Sequence, residues 1–249
     1  MTVKGVFETK EFLNYRDIEF DQADKDYFLN LLSEKGINEV LPFLRVIKKI
    51  PQDFLEPIMR EVIKYDDISL PKRYMETILR LFTPEKVLDV ILKMVTSNEG
   101  YGIKCRAAGI LYCVGIGIYS SGRDKNGNII WKCGKGYVWD GKKYESKCIE
   151  GDVNKFVVRR EQFAQKRTMV LAKEFLQSDN IVFRYYLKRY LPLEVEEYPV
   201  EIRKQAEKLV KIIDSKDFPN WVTPLKEKIR GNYELEKLLY DELKWQRKK

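Results

Sequence analysis

The 249-residue chain contains no histidine. That absence removes Ser-His-Asp and Cys-His catalysis, and with them every metal site that depends on imidazole. Cysteine is scarce as well. The four residues, at 105, 113, 133 and 148, include no C-x-x-C pair, so a four-cysteine metal or cluster site has no recognisable spacing. Cys105 and Cys113 read instead as small core residues on a helix. No apolar run approaches the roughly 18 residues needed to span a bilayer. Residues 1–10 are mixed and polar, without a signal-peptide apolar segment. The expectation is a cytoplasmic protein with no transmembrane segment, no metal and no cofactor.

What is present is 44% hydrophobic and 34% charged, which fits a folded chain and argues against wholesale disorder. The net charge of +8 is unevenly spread. Residues 1–100 hold 15 Lys/Arg against 18 Asp/Glu, residues 101–192 hold 18 against 8, and residues 193–249 hold 13 against 12. The basic excess therefore sits in the middle, where it suits an anionic partner or simply solvates the surface.

Helical periodicity dominates. Thr83-Pro84-Glu85 opens a central pair of helices over 83–118. Val87, Leu88, Ile91, Leu92 and Val95 form one apolar face, and the small residues Ala107, Ala108, Gly109 and Gly115 admit a close neighbour. Upstream, 21–35 predicts a helix ended by Gly36. Asn38, Asp53 and Asp67 each stand four residues before a proline, so each reads as a capped helix start, giving helices near 38–49, 53–65 and 69–82. Downstream, helices are expected from about Asn154 to Gln177, after Asp179 or Asn180, from Pro199, from Thr223-Pro224 and from Asn232.

The texture changes over 120–149. Asn126-Gly127 and Asp140-Gly141 are type I′ hairpin signals, and Ile129, Ile130, Trp131, Tyr137, Val138 and Trp139 are strand formers. The reading is a three-stranded meander that the helices do not need. A turn at Asp140-Gly141 sets Cys133 opposite Cys148 and Tyr137 opposite Tyr144, unless Gly134 and Gly136 add a bulge. Domain organisation follows: helical 1–119, the insertion at 120–154, and helical 155–249 continuing the first part.

Ile103-Lys104-x-x-Ala107-Ala108-x-x-Leu111 resembles the inner-helix signature of HEAT-type repeats. Phe183-Arg184-x-x-Leu187-x-x-x-Leu191 and Ile202-Arg203-x-x-Ala206-x-x-x-Val210 are looser echoes, with Leu where the second should have Ala. In that resemblance the aliphatic residue faces the stack and the basic one stays at the rim. It implies an all-α, right-handed α-solenoid of helix pairs carrying the inserted antiparallel β-meander at about 120–149. It also implies an interaction scaffold that binds a protein partner on a helical-repeat surface.

A second reading is nucleic-acid binding through the basic middle, in the manner of helical-repeat DNA glycosylases or RNA-binding proteins. Its candidate contacts to an anionic partner are Arg159, Arg160, Lys166, Arg167, Arg184, Lys188 and Arg189. Tyr185, Tyr186, Trp131 and Trp139 are its candidate aromatic contacts. The same letters also describe an amphipathic helix that buries tyrosines and solvates arginines. Enzymatic activity has little support: Asp66-Asp67 and Glu194, Glu196 and Glu197 suit helix ends, and Gly134-x-Gly136 lacks a phosphate-loop context. The oligomeric state is left open.

Overall fold

Asp21 starts the first long helix by accepting the Asp24 amide on its carboxylate at 2.8 Å, and Gly36, at φ 78°, stops it. Only glycine enters that left-handed region without penalty. The computed structural model describes residues 2–10, 12, 17–64, 69–116, 118–123, 125, 129–139, 144–150 and 153–219. In 69–72, 118–123, 129–139, 144–150 and 153–156 it describes the backbone alone. The chain divides into two compact units, Met1–Tyr65 with Ser69–Val90 and Cys113–Val157, and Asp66–Ile68 with Ile91–Tyr112 and Val158–Lys249.

The first unit contains α1 (Val3–Thr9), α2 (Gln22–Lys35), α3 (Ile37–Val46), a short 3-10 turn (Gln52–Phe54), α4 (Leu55–Val62) and α5 (Ser69–Leu81). The beginning of α6 (Pro84–Val95) also belongs to it. Its core is built from phenylalanines. Phe28 stacks on Phe54 with centroids 4.8 Å apart and planes within 4°, while Phe7, Phe20 and Phe43 close around them at edge or tilted angles. Full burial of each ring contributes about 1.5–3 kcal/mol. Two polar groups lock the helices. Asp24, 5% exposed, accepts the first amide of α1 from Val3 at 2.6 Å. Arg80 on α5 donates to the carbonyls of Ile47, at 2.7 Å, and Leu44 at the end of α3.

The expected Asx caps are partly displaced. α3 begins at Ile37 with no side-chain cap, so Asn38 falls inside its first turn and accepts the Tyr74 hydroxyl at 2.7 Å instead. Pro42 lies inside α3. Asp53 sits in the 3-10 turn and pairs with Lys25 at 3.3 Å. Asp67 lies outside the described residues.

The first unit also contains β1 (Ile118–Arg123), β2 (Ile129–Trp139) and β3 (Tyr144–Glu150), antiparallel in that order. Cys133 lies opposite Ile149 and Gly134 opposite Cys148, and the register shifts before Tyr137, which lies opposite Ser146. The expected pairings of Cys133 with Cys148 and Tyr137 with Tyr144 are thereby corrected. The register shift between Gly134 and Tyr137 is where the glycines allow an extra residue. Asn126-Gly127 and Asp140-Gly141 lie outside the described residues.

The fold class also stands corrected. The side chains of β1, β2 and β3 lie outside the described residues, and the described core is carried by the helices and the segments adjoining them. The described protein is helical, and an inserted three-stranded meander packed as a module on an all-α, right-handed solenoid is not supported. The reason is physical: hairpin dipeptides report local turn geometry and do not say what architecture carries the turn.

The second unit contains the end of α6, α7 (Tyr101–Gly109), all but the first turn of α8 (Val153–Gln177, 25 residues), α9 (Ile181–Lys188) and α10 (Arg203–Ile213). Asn180, the second of the two caps considered, accepts the Phe183 amide at 3.0 Å and begins α9. A 3-10 turn (Val200–Ile202) follows Pro199 and leads into α10. α9 packs on α7, where Ala107 and Ala108 are buried and Gly109 carries no side chain. A Cβ on Gly109 would meet the Tyr186 ring at 3.5 Å. The Tyr190 hydroxyl donates to the Gly109 carbonyl at 3.0 Å. Nothing approaches Gly115 in the same way. Cys105 is buried and Cys113 is half-buried. The helices expected from Thr223-Pro224 and Asn232 lie outside the described residues.

Candidate functional site

The candidate residues share the second unit but not one surface. Arg160 and Lys166 are exposed on α8, whereas Arg159 and Arg167 are half-buried there. Lys188 and Arg184 are half-buried on α9, and Arg189, just beyond it, is exposed. Tyr185 and Tyr186 are 7% and 4% exposed, because the α9 face that meets α7 needs large side chains. Their rings are thus in the core and not on a platform for bases. The side chains of Trp131 and Trp139, on β2, lie outside the described residues.

Several of the cations serve the fold itself. Arg184 donates from Nε to the Phe175 carbonyl in the last turn of α8 at 2.9 Å, with its guanidinium 5.5 Å from that residue's ring. Lys188 lies 5.3 Å from the Phe218 ring centre. Burial lowers its pKa, an effect that the nearby Asp214 carboxylate opposes. Arg189 lies 5.6 Å from the rings of both Tyr185 and Tyr186. Each contact places a cation at an aromatic ring, which attracts it through the ring quadrupole.

The aliphatic–basic pairs behave alike. Lys104 bonds Glu174 at 3.2 Å, with side-chain exposures of 13% and 15%, and lies 4.9 Å from the Phe183 ring. Arg203 donates to the carbonyls of Tyr198 and Glu196, both at 3.2 Å. With Arg184, all three basic residues of the pairs make contacts within the chain, although Arg203 is exposed. Sequence spacing had no means of finding Glu174, 70 residues away.

Two concavities are formed by described residues of this unit. One, of about 560 Å³, runs between α8 and the segment Arg189–Pro192 and includes Ala164, Arg167 and Thr168. Glu161 and Glu197, both exposed, also line it. The other, of about 370 Å³, has an apolar floor of Met169, Ala172, Leu176 and Ile202, with Lys173 and Gln205 beside it. Met169 is exposed there. Lys173, and Lys204, Lys208 and Lys211 on α10, are exposed and make no ion pair with a described residue. The last three repeat at i, i+4 and i+7, which aligns them along one side of the helix.

Tyr198 is buried and donates its hydroxyl to the Pro192 carbonyl at 2.8 Å. Burial raises its pKa well above the ordinary phenol value, and the neighbouring Glu197 carboxylate adds to the shift. Among the described residues no group of three or more Cys, Asp or Glu is placed to hold a metal ion, and no helix is long and apolar enough to cross a membrane. No protein-family model, curated protein or solved structure matches the chain.

Proposed function

We propose that the protein works by binding another protein, and that the groove between α8 and the start of α10 receives an acidic amphipathic segment of that partner. One observation carries the reading. An apolar floor of Met169, Ala172, Leu176 and Ile202 is lined by Lys173, and α10 carries Lys204, Lys208 and Lys211 in a row, none of the four with a carboxylate partner among the described residues. The floor would take the partner's apolar stripe and the lysines its carboxylates. Nucleic acid is the weaker occupant, because the stacking tyrosines proposed for it, Tyr185 and Tyr186, are buried.

The test is fluorescence anisotropy with a synthetic acidic amphipathic helix, its scrambled isomer and a random single-stranded oligonucleotide. The helix binds best, and K173E with K208E weakens it about tenfold or more through like-charge repulsion without lowering the melting temperature. Equal binding of the scrambled peptide overturns the reading. So does tighter binding of the oligonucleotide that falls linearly in log salt.

A further inference from the structure

Arg167 differs from two other arginines of its unit. Arg184 and Arg203 spend donors on backbone carbonyls. Arg167 makes no hydrogen bond and no ion pair with any described residue, and its Nε is buried. It holds its guanidinium 6.0 Å from the Tyr190 ring. Burial lowers its pKa, an effect that Tyr190 opposes. A cation withdrawn from water with no acceptor among the described residues is destabilising there. Helical spacing explains how it comes to be there: Ala164, Arg167, Thr168, Leu171 and Phe175 follow one stripe of α8, and Leu171 and Phe175 are core. At the position where that stripe is expected to carry another apolar residue, the sequence has arginine.

The side chain lines the cleft of about 560 Å³, a size that suits a small organic ligand, for which sites run at roughly 300–1,000 Å³. Ala164, Leu191 and Pro192 supply apolar wall, and Arg189 is a second cation in the lining. The geometry points to a small monocarboxylate as ligand, with its carboxylate on the forked donors of Arg167 and its apolar body along Leu191 and Pro192. A guanidinium fork matches the two oxygens of a carboxylate. Glu161 and Glu197 repel a second negative charge on the ligand, which disfavours phosphate and dicarboxylates. This site is separate from the α8–α10 groove, and neither depends on the other.

Calorimetric titration of the full chain with sodium hexanoate tests the assignment, with hexylamine, 1-hexanol, suberate and inorganic phosphate as comparators. Hexanoate binds saturably and raises the melting temperature, and each comparator binds about tenfold more weakly or worse, a difference that corresponds to one lost charged contact. R167M removes hexanoate binding while the ligand-free melting temperature holds or rises, since an uncompensated charge has gone. A164F fills the cleft, leaves the arginine in place and abolishes binding too, so it decides the matter if R167M does not fold. The proposal is overturned if wild-type affinity is weaker than about 10 mM. It fails equally if hexanol or phosphate matches hexanoate, or if a folded R167M or A164F binds as the wild type does. A fall in the ligand-free melting temperature of R167M also counts against it, because that marks a structural arginine.

Discussion

Arg184 reaches back nine residues to close the end of the preceding helix, its Nε 2.9 Å from the carbonyl oxygen of Phe175. The last carbonyls of a helix lack intrahelical donors, and a guanidinium satisfies one while opposing the negative end of the dipole. R184A should therefore destabilise the protein by about 1.5–3 kcal/mol. R184K, with a shorter reach and no Nε fork, should recover less than half. Chemical denaturation reads both, and R160A, at an exposed position without a partner among the described residues, is the unchanged control.

Lys104 and Glu174 form a largely desolvated pair. Removing either partner alone leaves a charge with little water around it, at a cost of about 3 kcal/mol. K104M combined with E174L should restore most of that loss. A double-mutant cycle of urea midpoints checks it, and additive single losses would refute the pairing.

Gly109 sits against the Tyr186 ring with room for one methyl group at ordinary contact distance. G109A should be neutral or should stabilise by up to about 1 kcal/mol, by removing glycine's backbone freedom. G109V drives γ-carbons into that ring and should cost about 1–3 kcal/mol. Paired thermal melts distinguish the two signs.

Tyr198 predicts a pH dependence. Its folded pKa is raised, so between the ordinary phenol value of roughly 10 and the higher folded value the unfolded chain releases a proton that the folded chain keeps. Stability is thus fully present below about pH 10 and is lost as pH rises above it. Y198F should flatten that alkaline slope, while lowering stability at pH 7 by about 1 kcal/mol through the lost bond to Pro192. An unchanged slope in denaturation from pH 8 to 11 would count against it.

Much of the helical outline was legible because it rests on local chemistry. Asp21, Gly36 and Asn180 act at helix ends as their residue types suggest, and 154–177 has no Gly or Pro to interrupt it. The roles of single polar groups were not legible. Asn38 and Asp53 have cap chemistry but spend it on Tyr74 and Lys25, partners that no local window contains. The cations of α9 read as a surface because the heptad-like alternation of Arg, Lys and Tyr does not say which rings turn inward. Burial of Tyr185 and Tyr186 follows from the small residues of α7, some 75 positions earlier. The cleft beside Arg167 was hidden for the same reason, since Leu191 and Pro192 reach it only through the fold.

The bond from Val3 to buried Asp24 bears on how the chain opens. A helix of seven residues ordinarily frays, and its leading amides exchange with solvent almost as in a free peptide. Here the leading amide is held by an acceptor on the next helix, inside the phenylalanine core. In deuterium exchange the Val3 amide should accordingly report the opening of α2 and its core, and not the end of the chain.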